Sequence, residues 1–207
     1  MADDRIILDI RNITLSYGEK TVLEDFSLSL RKGEKIILAG PNGSGKTTLI
    51  RSILGFTRPR KGTIGKAPGL RCAYTRQGDT ETICPVSVRE VVSMGLYRSE
   101  DRDASRIENA MKLTGVSHLS SRSFPSLSGG EKQRVQIARS ITQEADVILM
   151  DEPTTFLDTA FRDELVSILT LLPSQMAAIV VTHDEMLYDR LGWRIIRIGK
   201  EEKRCRE

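Results

Sequence analysis

The segment Gly40–Thr48 has the sequence GPNGSGKTT and constrains the fold more than any other part of the chain. It fits the pattern G-x-x-x-x-G-K-[ST], follows the apolar run Lys35–Ala39 and precedes a helical pattern over Thr47–Leu54. A glycine-rich turn between a buried strand and a helix presents several backbone N–H groups and the positive end of the helix. The segment therefore predicts an α/β fold in which this turn holds a phosphate group.

Two further apolar runs, Asp146–Met150 and Ala178–Thr182, resemble the first in length. Continuous apolar runs of this length are typical of parallel strands that are buried on both faces. An amphipathic pattern over Thr159–Leu172, ended by Pro173, predicts a helix after the second run. Alternating strands and helices predict an α/β core with a mainly parallel sheet and ligands at the carboxyl ends of its strands. The glycine-rich turn identifies it as a P-loop core.

The beginning of the chain has a different pattern. Ile6–Ile10 and Phe26–Leu30 are typical of short strands, and the turn-prone segment Tyr17–Lys20 separates them. We therefore expect a small antiparallel β part before the parallel core.

The middle of the chain predicts helices rather than strands. Val88–Leu96 and Ala104–Leu113 have helical patterns, and the loops around them are rich in Ser, Gly and Pro. This favours a helical part inserted into the core. We expect a single domain over residues 1–207, made of a core from residues 1–77 and 136–207 and a helical subdomain from residues 78–135.

Composition excludes some classes of protein. The 207 residues include 31 basic and 28 acidic side chains, and a net charge of +3 is too small to indicate a nucleic-acid partner. Neither an apolar run of about 18 residues nor a signal peptide is present, so we expect a cytoplasmic protein. The three cysteines, Cys72, Cys84 and Cys205, lack metal-ligand spacing and are expected to be free thiols.

The glycine-rich turn predicts a site for Mg²⁺ and ATP. Lys46 is expected to bridge the β- and γ-phosphate oxygens, Thr47 to offer its hydroxyl to Mg²⁺ and Thr48 to add a phosphate contact. The alternative is a structural turn that carries an exposed lysine. The residues expected to bind ATP here are Gly40, Pro41, Asn42, Gly43, Ser44, Gly45, Lys46, Thr47 and Thr48.

Two carboxylates end the second apolar run. Asp151 lies where a carboxylate can hold Mg²⁺ through water, because this cation prefers octahedral oxygen ligands and keeps much of its hydration. Glu152 points the other way along an extended chain, and it is expected to polarise the attacking water. The alternative is a pair of carboxylates that merely end a strand.

The segment Leu127–Arg134 has the sequence LSGGEKQR. Ser128, followed three residues later by Glu131, predicts a capping box at the start of a helix. Gly129 and Gly130 leave N–H groups at this helix start uncovered, which creates an anion site that could receive a γ-phosphate from another subunit.

Together, GPNGSGKTT, LSGGE and the following Asp151–Glu152 pair resemble the ABC ATPases over nearly the whole chain. The resemblance implies a head-to-tail dimer that sandwiches two ATP molecules. Each ATP would lie between the turn of one chain and Ser128, Gly129, Gly130 and Glu131 of the other. Lys46 and Glu152 would then be catalytic.

The resemblance also implies two contacts with the nucleotide. Tyr17 matches the aromatic residue that stacks on adenine, although a lone tyrosine is otherwise a turn residue. Gln77 matches the catalytic glutamine that contacts Mg²⁺ and the attacking water. Most relatives have proline where this chain has Arg76.

Two residues later in the chain match the family in the same way. Asp158 resembles the acidic residue of the loop that crosses the dimer interface, and it also fits an N-cap of the next helix. Phe156 is bulkier than the residue common at its position. His183 resembles the catalytic histidine that contacts the γ-phosphate, whereas His118 matches no such position.

The resemblance implies a transport function that requires other proteins. These are a second ATPase subunit, expected to be an identical copy, integral membrane permease subunits that dock beside the Gln77 loop, and a substrate-binding protein. The chain would lie at the inner face of the membrane. Cys84–Tyr97 is similar to a segment in ATPases of manganese, zinc and iron-chelate importers, which favours a metal or metal-chelate importer.

Two other classes share the nucleotide motifs. One is a soluble family member without a transporter, such as the iron–sulfur assembly ATPase, and copurification with a membrane protein would discriminate. The other comprises the translation-associated members, which carry two cassettes and a charged linker that this chain lacks.

Overall fold

The computed structural model describes residues 4–76, 85–96, 103–154 and 159–199, without the side chains of residues 159 and 160. The strands are β1 (Ile6–Tyr17), β2 (Lys20–Arg31), β3 (Lys35–Ala39), β4 (Lys61–Lys66), β5 (Cys72–Thr75), β6 (Val147–Asp151), β7 (Ala177–Thr182) and β8 (Arg194–Arg197). The α-helices are α1 (Lys46–Leu54), α2 (Val88–Ser93), α3 (Ala104–Leu113), α4 (Gly129–Thr142), α5 (Thr159–Thr170) and α6 (Glu185–Leu191). Short 3-10 helices span Met94–Leu96, Ser117–Leu119 and Phe124–Ser126.

A parallel sheet with the strand order β5-β6-β7-β3-β8 forms the centre of the fold. The three predicted apolar runs are its inner strands β3, β6 and β7, as expected for strands covered on both faces. Ala39 pairs with Thr182, and Asp151 pairs with Val181. The carboxyl ends of these three strands therefore meet at one edge of the sheet.

The two faces of this sheet pack on different partners, because neighbouring residues of a strand point to opposite sides. Ile36 and Leu38 of β3 pack with α1 and the antiparallel sheet, whereas Ile37 lies in the second apolar cluster, which also contains residues of α2–α6. Burial of each such side chain stabilises the fold by about 1.5–3 kcal/mol. The parallel sheet is thus a layer between α1 with the antiparallel β part on one face and α2–α6 on the other.

The antiparallel sheet has the order β2-β1-β4. It confirms the predicted β part, but β1 and β2 are 12 residues each, longer than the expected strands. Their register shifts at several points, among them between Ile10 and Ile13. These irregularities interrupt the alternation of apolar residues that the sequence pattern requires.

The helices α2 and α3 occur where the sequence predicts them. Ser87 and Glu90 form a capping box at the start of α2, and the predicted helix continues as the 3-10 helix Met94–Leu96. The expected subdomain boundary at residue 135 falls within α4, which contacts α2, α3 and β5. The division into residues 1–77, 78–135 and 136–207 stays a prediction.

Helix α4 and the other helices are too short or too polar to cross a bilayer, as far as the described residues extend. Cys72 is a free, half-buried thiol, and burial raises its pKa. Cys84 and Cys205 lie outside the described residues.

Candidate active site

The loop between β3 and α1 leaves the start of the helix open. Gly45 is the N-cap residue of α1, and its φ of 95° lies in the left-handed region that favours glycine. No side chain caps this helix, and its first turn contains no acidic residue. The first N–H groups of an α-helix have no partner within the helix. This loop therefore has the geometry of an anion site.

Lys46, the first residue of α1, directly follows this loop and is buried. Its Nζ donates hydrogen bonds to the carbonyl oxygens of Gly40 at 2.7 Å and Pro41 at 3.0 Å, and lies 3.7 Å from Oε1 of Glu152. Ser44 Oγ is buried without a hydrogen-bond partner among the described residues. A cation and an unused hydroxyl beside an open helix start suit a phosphate group.

Thr47 and Asp151 come together from different elements. Thr47 Oγ1 donates a hydrogen bond to Oδ1 of the buried Asp151 at 3.1 Å. Burial raises the pKa of Asp151, whereas the hydrogen bond from Thr47 lowers it. Tyr74 Oη lies 3.5 Å from the other carboxylate oxygen, Oδ2. The oxygen atoms of Thr47 and Asp151 are of the kind that Mg²⁺ prefers, so these two residues fit this ion.

Glu152 has an unusual backbone conformation. Its φ is 50°, and its N–H donates to the carbonyl oxygen of Val181 at 2.8 Å. A left-handed conformation costs a non-glycine residue about 1–3 kcal/mol and is found preferentially at functional sites. It turns the carboxylate away from Thr47, so that Oε2 lies 2.9 Å from Nδ1 of His183.

The two neighbouring carboxylates, Asp151 and Glu152, thus have different partners. Asp151 contacts the hydroxyls of Thr47 and Tyr74, whereas Glu152 lies between Lys46 and His183. Glu152 Oε1 is buried without a hydrogen-bond partner among the described residues. A carboxylate oxygen that accepts no hydrogen bond and lies beside a phosphate-type loop is suited to accept a proton from water.

The predicted capping box at α4 is present. Ser128 Oγ accepts a hydrogen bond from the N–H of Glu131 at 3.3 Å, and Glu131 Oε2 accepts one from the N–H of Ser128 at 2.8 Å. This backbone hydrogen bond lowers the pKa of Glu131. A Cβ on Gly130 would lie 2.8 Å from the ring of Phe161, so the close approach to α5 requires glycine here.

The α4 start and the Lys46 loop remain separate within one chain. In the described part of the chain, no hydrogen bond or ion pair joins Ser128 or Glu131 to Lys46, Thr47 or Glu152. The described contacts therefore do not join the capping box of α4 to the phosphate-type loop of the same chain, and the γ-phosphate contact of Ser128 stays a prediction.

Three other residues are expected at the nucleotide site or the dimer interface, and the structure describes one of them. Tyr17 ends β1 and is 76% exposed, which leaves its ring accessible to a ligand. Gln77 and Asp158 lie outside the described residues.

Sequence reasoning missed Tyr74, because β5 is a four-residue edge strand without a recognisable pattern. The place of Tyr74 beside Asp151 follows from the pairing of β5 with β6, in which Tyr74 lies opposite Leu149.

Comparison with known proteins is consistent with this geometry. Residues 23–155 match the family described as ABC transporter. A hemin import ATP-binding protein of Thermobifida fusca (strain YX) is 39% identical over 196 residues, which cover 86% of this chain and 69% of that protein. A zinc import ATP-binding protein of Yersinia enterocolitica serotype O:8 is 34% identical over 183 residues, which cover 86% and 70%. Other relatives are named as ATP-binding proteins for petrobactin import and manganese transport.

Solved structures show the same fold. A chain of an inward-facing ABC transporter, assigned to the metal-chelate type, superimposes with a TM-score of 0.84 at 28% identity and covers 95% of this chain and 81% of that one. A dimeric bacterial ABC transporter cassette gives a TM-score of 0.77 at 26% identity and covers 93% and 94%. The chain therefore belongs to the ABC transporter family, as an ATP-binding subunit that hydrolyses ATP.

Proposed function

We propose that this ATPase drives a separate membrane permease that imports a metal ion or a metal chelate. The observation that carries the proposal is the shared cargo class of its relatives, which are named for hemin, petrobactin, zinc and manganese. None of these comparisons supports the alternative of a soluble iron–sulfur assembly ATPase. The chain would act at the cytoplasmic face of the membrane.

ATP would bind along the turn Gly40–Thr48. The open start of α1 supports binding of the phosphates, and Lys46 would exchange its two loop carbonyls for phosphate oxygens. The exposed ring of Tyr17 would stack on adenine. Thr47 and Asp151 would hold Mg²⁺ together with Gln77, and the bound ion would supply neutralisation of the phosphate charge.

Glu152 would act as the base that orients the attacking water. Its Oε1 supports this role because it has no hydrogen-bond partner among the described residues, only the longer ion pair with Lys46, while Oε2 is held by His183. His183 would thus fix the direction of the carboxylate as well as lie near the γ-phosphate. A general base of this kind contributes about 10²- to 10⁴-fold to the rate.

Two copies would complete each site. The second copy would bring Ser128, Gly129, Gly130 and Glu131 to the γ-phosphate, and Asp158 would contribute to the interface. The separation of Ser128 from the Lys46 loop within one chain supports this arrangement. ATP would favour the closed dimer because only ATP offers a γ-phosphate to the second copy, and a ligand shifts an equilibrium only by its differential affinity.

A groove beside β5 is suited to receive the permease. It has a volume of about 940 Å³ and is lined mainly by Gly69–Cys72, Met94–Leu96, Arg106, Arg139 and Thr142–Ala145. Gln77 follows β5 closely in the sequence, and α4 begins directly after Ser128, the residue proposed to meet the γ-phosphate. A partner in this groove would therefore contact elements that reach both parts of the nucleotide site.

The groove favours a partner segment with an acidic and an apolar side chain. Arg106 pairs with Glu144 at 3.2 Å, whereas Arg139 has no ion pair among the described residues and its Nε is buried without a partner. Met94 is 53% exposed at the rim, and exposed methionine adapts well to apolar partners. We propose that a short permease helix with these two side chains docks here.

Substitution of Met94 by aspartate or of Arg139 by glutamate is expected to reduce copurification of the permease by at least about 10-fold, because each puts a negative charge against the proposed partner. ATP binding by the isolated chain should stay unchanged. The matched control is Leu171→Asp, since Leu171 is 63% exposed but does not line the groove. Equal permease recovery with all three variants would contradict this docking site.

Purification in mild detergent tests the wider function. We expect an integral membrane protein to copurify with the chain and, in proteoliposomes, to support ATP-dependent uptake of hemin, metal-loaded petrobactin, Zn²⁺ or Mn²⁺. If no membrane protein is recovered, the transport function is wrong. If a permease is recovered but carries none of these, the cargo class is wrong.

A further inference from the structure

The carboxylate of Asp151 has a different hydroxyl partner at each oxygen. Thr47 Oγ1 lies 3.1 Å from Oδ1, and Tyr74 Oη lies 3.5 Å from Oδ2. Asp151 is buried, so its orientation depends on neighbouring protein groups rather than on bulk water. Thr47 belongs to the established phosphate-loop motif, whereas Tyr74 has no role in the motifs described above.

One hydrogen bond alone leaves the carboxylate free to rotate about its last side-chain bond, since terminal torsions of this type are broad. A second partner at the other oxygen fixes the plane of the group. Asp151 would hold Mg²⁺ through water, and a water-mediated contact depends on where the carboxylate oxygens point. Tyr74 lies where it can supply this second partner.

Tyr74 is held in place by apolar packing and by strand pairing. Its ring packs against the buried apolar cluster that contains Leu149 and Val147 of β6. The backbone pairing of Tyr74 with Leu149 sets the distance from β5 to Asp151, two residues farther along β6.

We infer that Tyr74 is a positioning residue for the Mg²⁺ site. Its hydroxyl orients Asp151 by donating a hydrogen bond to Oδ2 of that carboxylate. The inference rests on the proposed Mg²⁺ site of Thr47 and Asp151. It adds a residue of β5 to that site, on the strand that leads to Gln77.

Tyr74→Phe tests this role because it removes the hydroxyl and keeps the ring. The melting temperature is measured at a fixed concentration of a non-hydrolysable ATP analogue while Mg²⁺ is titrated. The Mg²⁺ concentration that gives half of the thermal stabilisation is expected to rise about 10-fold, as for other groups that orient a metal ligand. At saturating Mg²⁺, kcat is expected to change less than about twofold, because the loss affects binding of the ion.

Tyr188→Phe is the matched control. The Tyr188 hydroxyl donates to the carbonyl oxygen of Thr182 at 3.0 Å, also beside the site. Its removal should leave the Mg²⁺ midpoint unchanged. If Tyr74→Phe gives the same midpoint as Tyr188→Phe, Tyr74 does not position the metal site.

A third variant separates the two levels of the inference. Asp151→Asn should raise the Mg²⁺ midpoint more than Tyr74→Phe does. If Asp151→Asn has no effect, the proposed Mg²⁺ site itself is wrong. If Asp151→Asn raises the midpoint and Tyr74→Phe does not, only the role of Tyr74 is wrong.

Discussion

Replacement of Glu152 by glutamine is expected to lower kcat by about 10²- to 10⁴-fold and to leave ATP binding intact. The amide keeps the size of the side chain and can still hydrogen-bond to His183, but it cannot accept a proton from water. ATP should therefore persist in the site, and the closed dimer should accumulate. Phosphate release measures the rate, equilibrium dialysis measures ATP binding, and light scattering measures the dimer.

The control for this substitution is Glu108→Gln, which changes an exposed glutamate of α3 that pairs with Arg89. It should retain the rate of the unmodified protein. Hydrolysis by Glu152→Gln at that same rate would remove Glu152 from the catalytic role. Loss of ATP binding would instead mean that the Glu152 charge mainly serves to hold Lys46, 3.7 Å away.

Replacement of Ser128 by aspartate should lower kcat by at least about 10²-fold with little change in stability. Aspartate is about as good an N-cap as serine, so the start of α4 should stay capped. The new carboxylate would, however, repel the γ-phosphate brought by the other chain. Like charges a few ångströms apart repel each other strongly in a site without water. The melting temperature tests the cap, and the ATP-dependent dimer tests the repulsion.

Ser128→Ala provides the opposite comparison. It removes the hydrogen bond to Glu131 N–H and should cost about 1 kcal/mol of unfolding free energy, without adding a charge. The two variants thus separate the role of Ser128 within its own chain from its role at the interface. Retention of the ATP-dependent dimer by Ser128→Asp would show that no phosphate is received at this helix start.

Sequence patterns predicted the inner strands well because these strands carry long apolar runs. β3, β6 and β7 are covered on both faces, and each leads to a turn rich in functional residues. The capping box at Ser128 and Glu131 was also predictable, since it depends on residues only three positions apart. Such local features are visible in one short stretch of sequence.

Three of the edge strands, β4, β5 and β8, were not predicted. β5 and β8 have four residues each, and β4 contains two glycines and little apolar surface, so none shows the alternation of a typical strand. These strands form because each pairs with a strand that is distant in the sequence. The same long-range pairing brings Tyr74 to Asp151, a contact that no local pattern indicates.

The contact between His183 and Glu152 also could not be read from local patterns. It depends on the register of β6 and β7 and on the left-handed conformation of Glu152. Sequence resemblance assigned His183 to the γ-phosphate, and the structure adds a partner on its own chain. The roles assigned to the site residues remain predictions that the substitutions above test.

The central claim is that each active site is shared between two copies of the chain, and mixing two inactive variants tests it most directly. Lys46→Ala removes the phosphate-binding cation of one half-site, and Ser128→Asp disables the other half-site. A mixed dimer keeps one intact site, made from Lys46 of the second variant and Ser128 of the first. We expect the mixture to recover about a quarter of the unmodified rate, since random pairing gives half mixed dimers with one site of two intact. A mixture that forms mixed dimers yet stays as inactive as either variant alone would contradict the shared site.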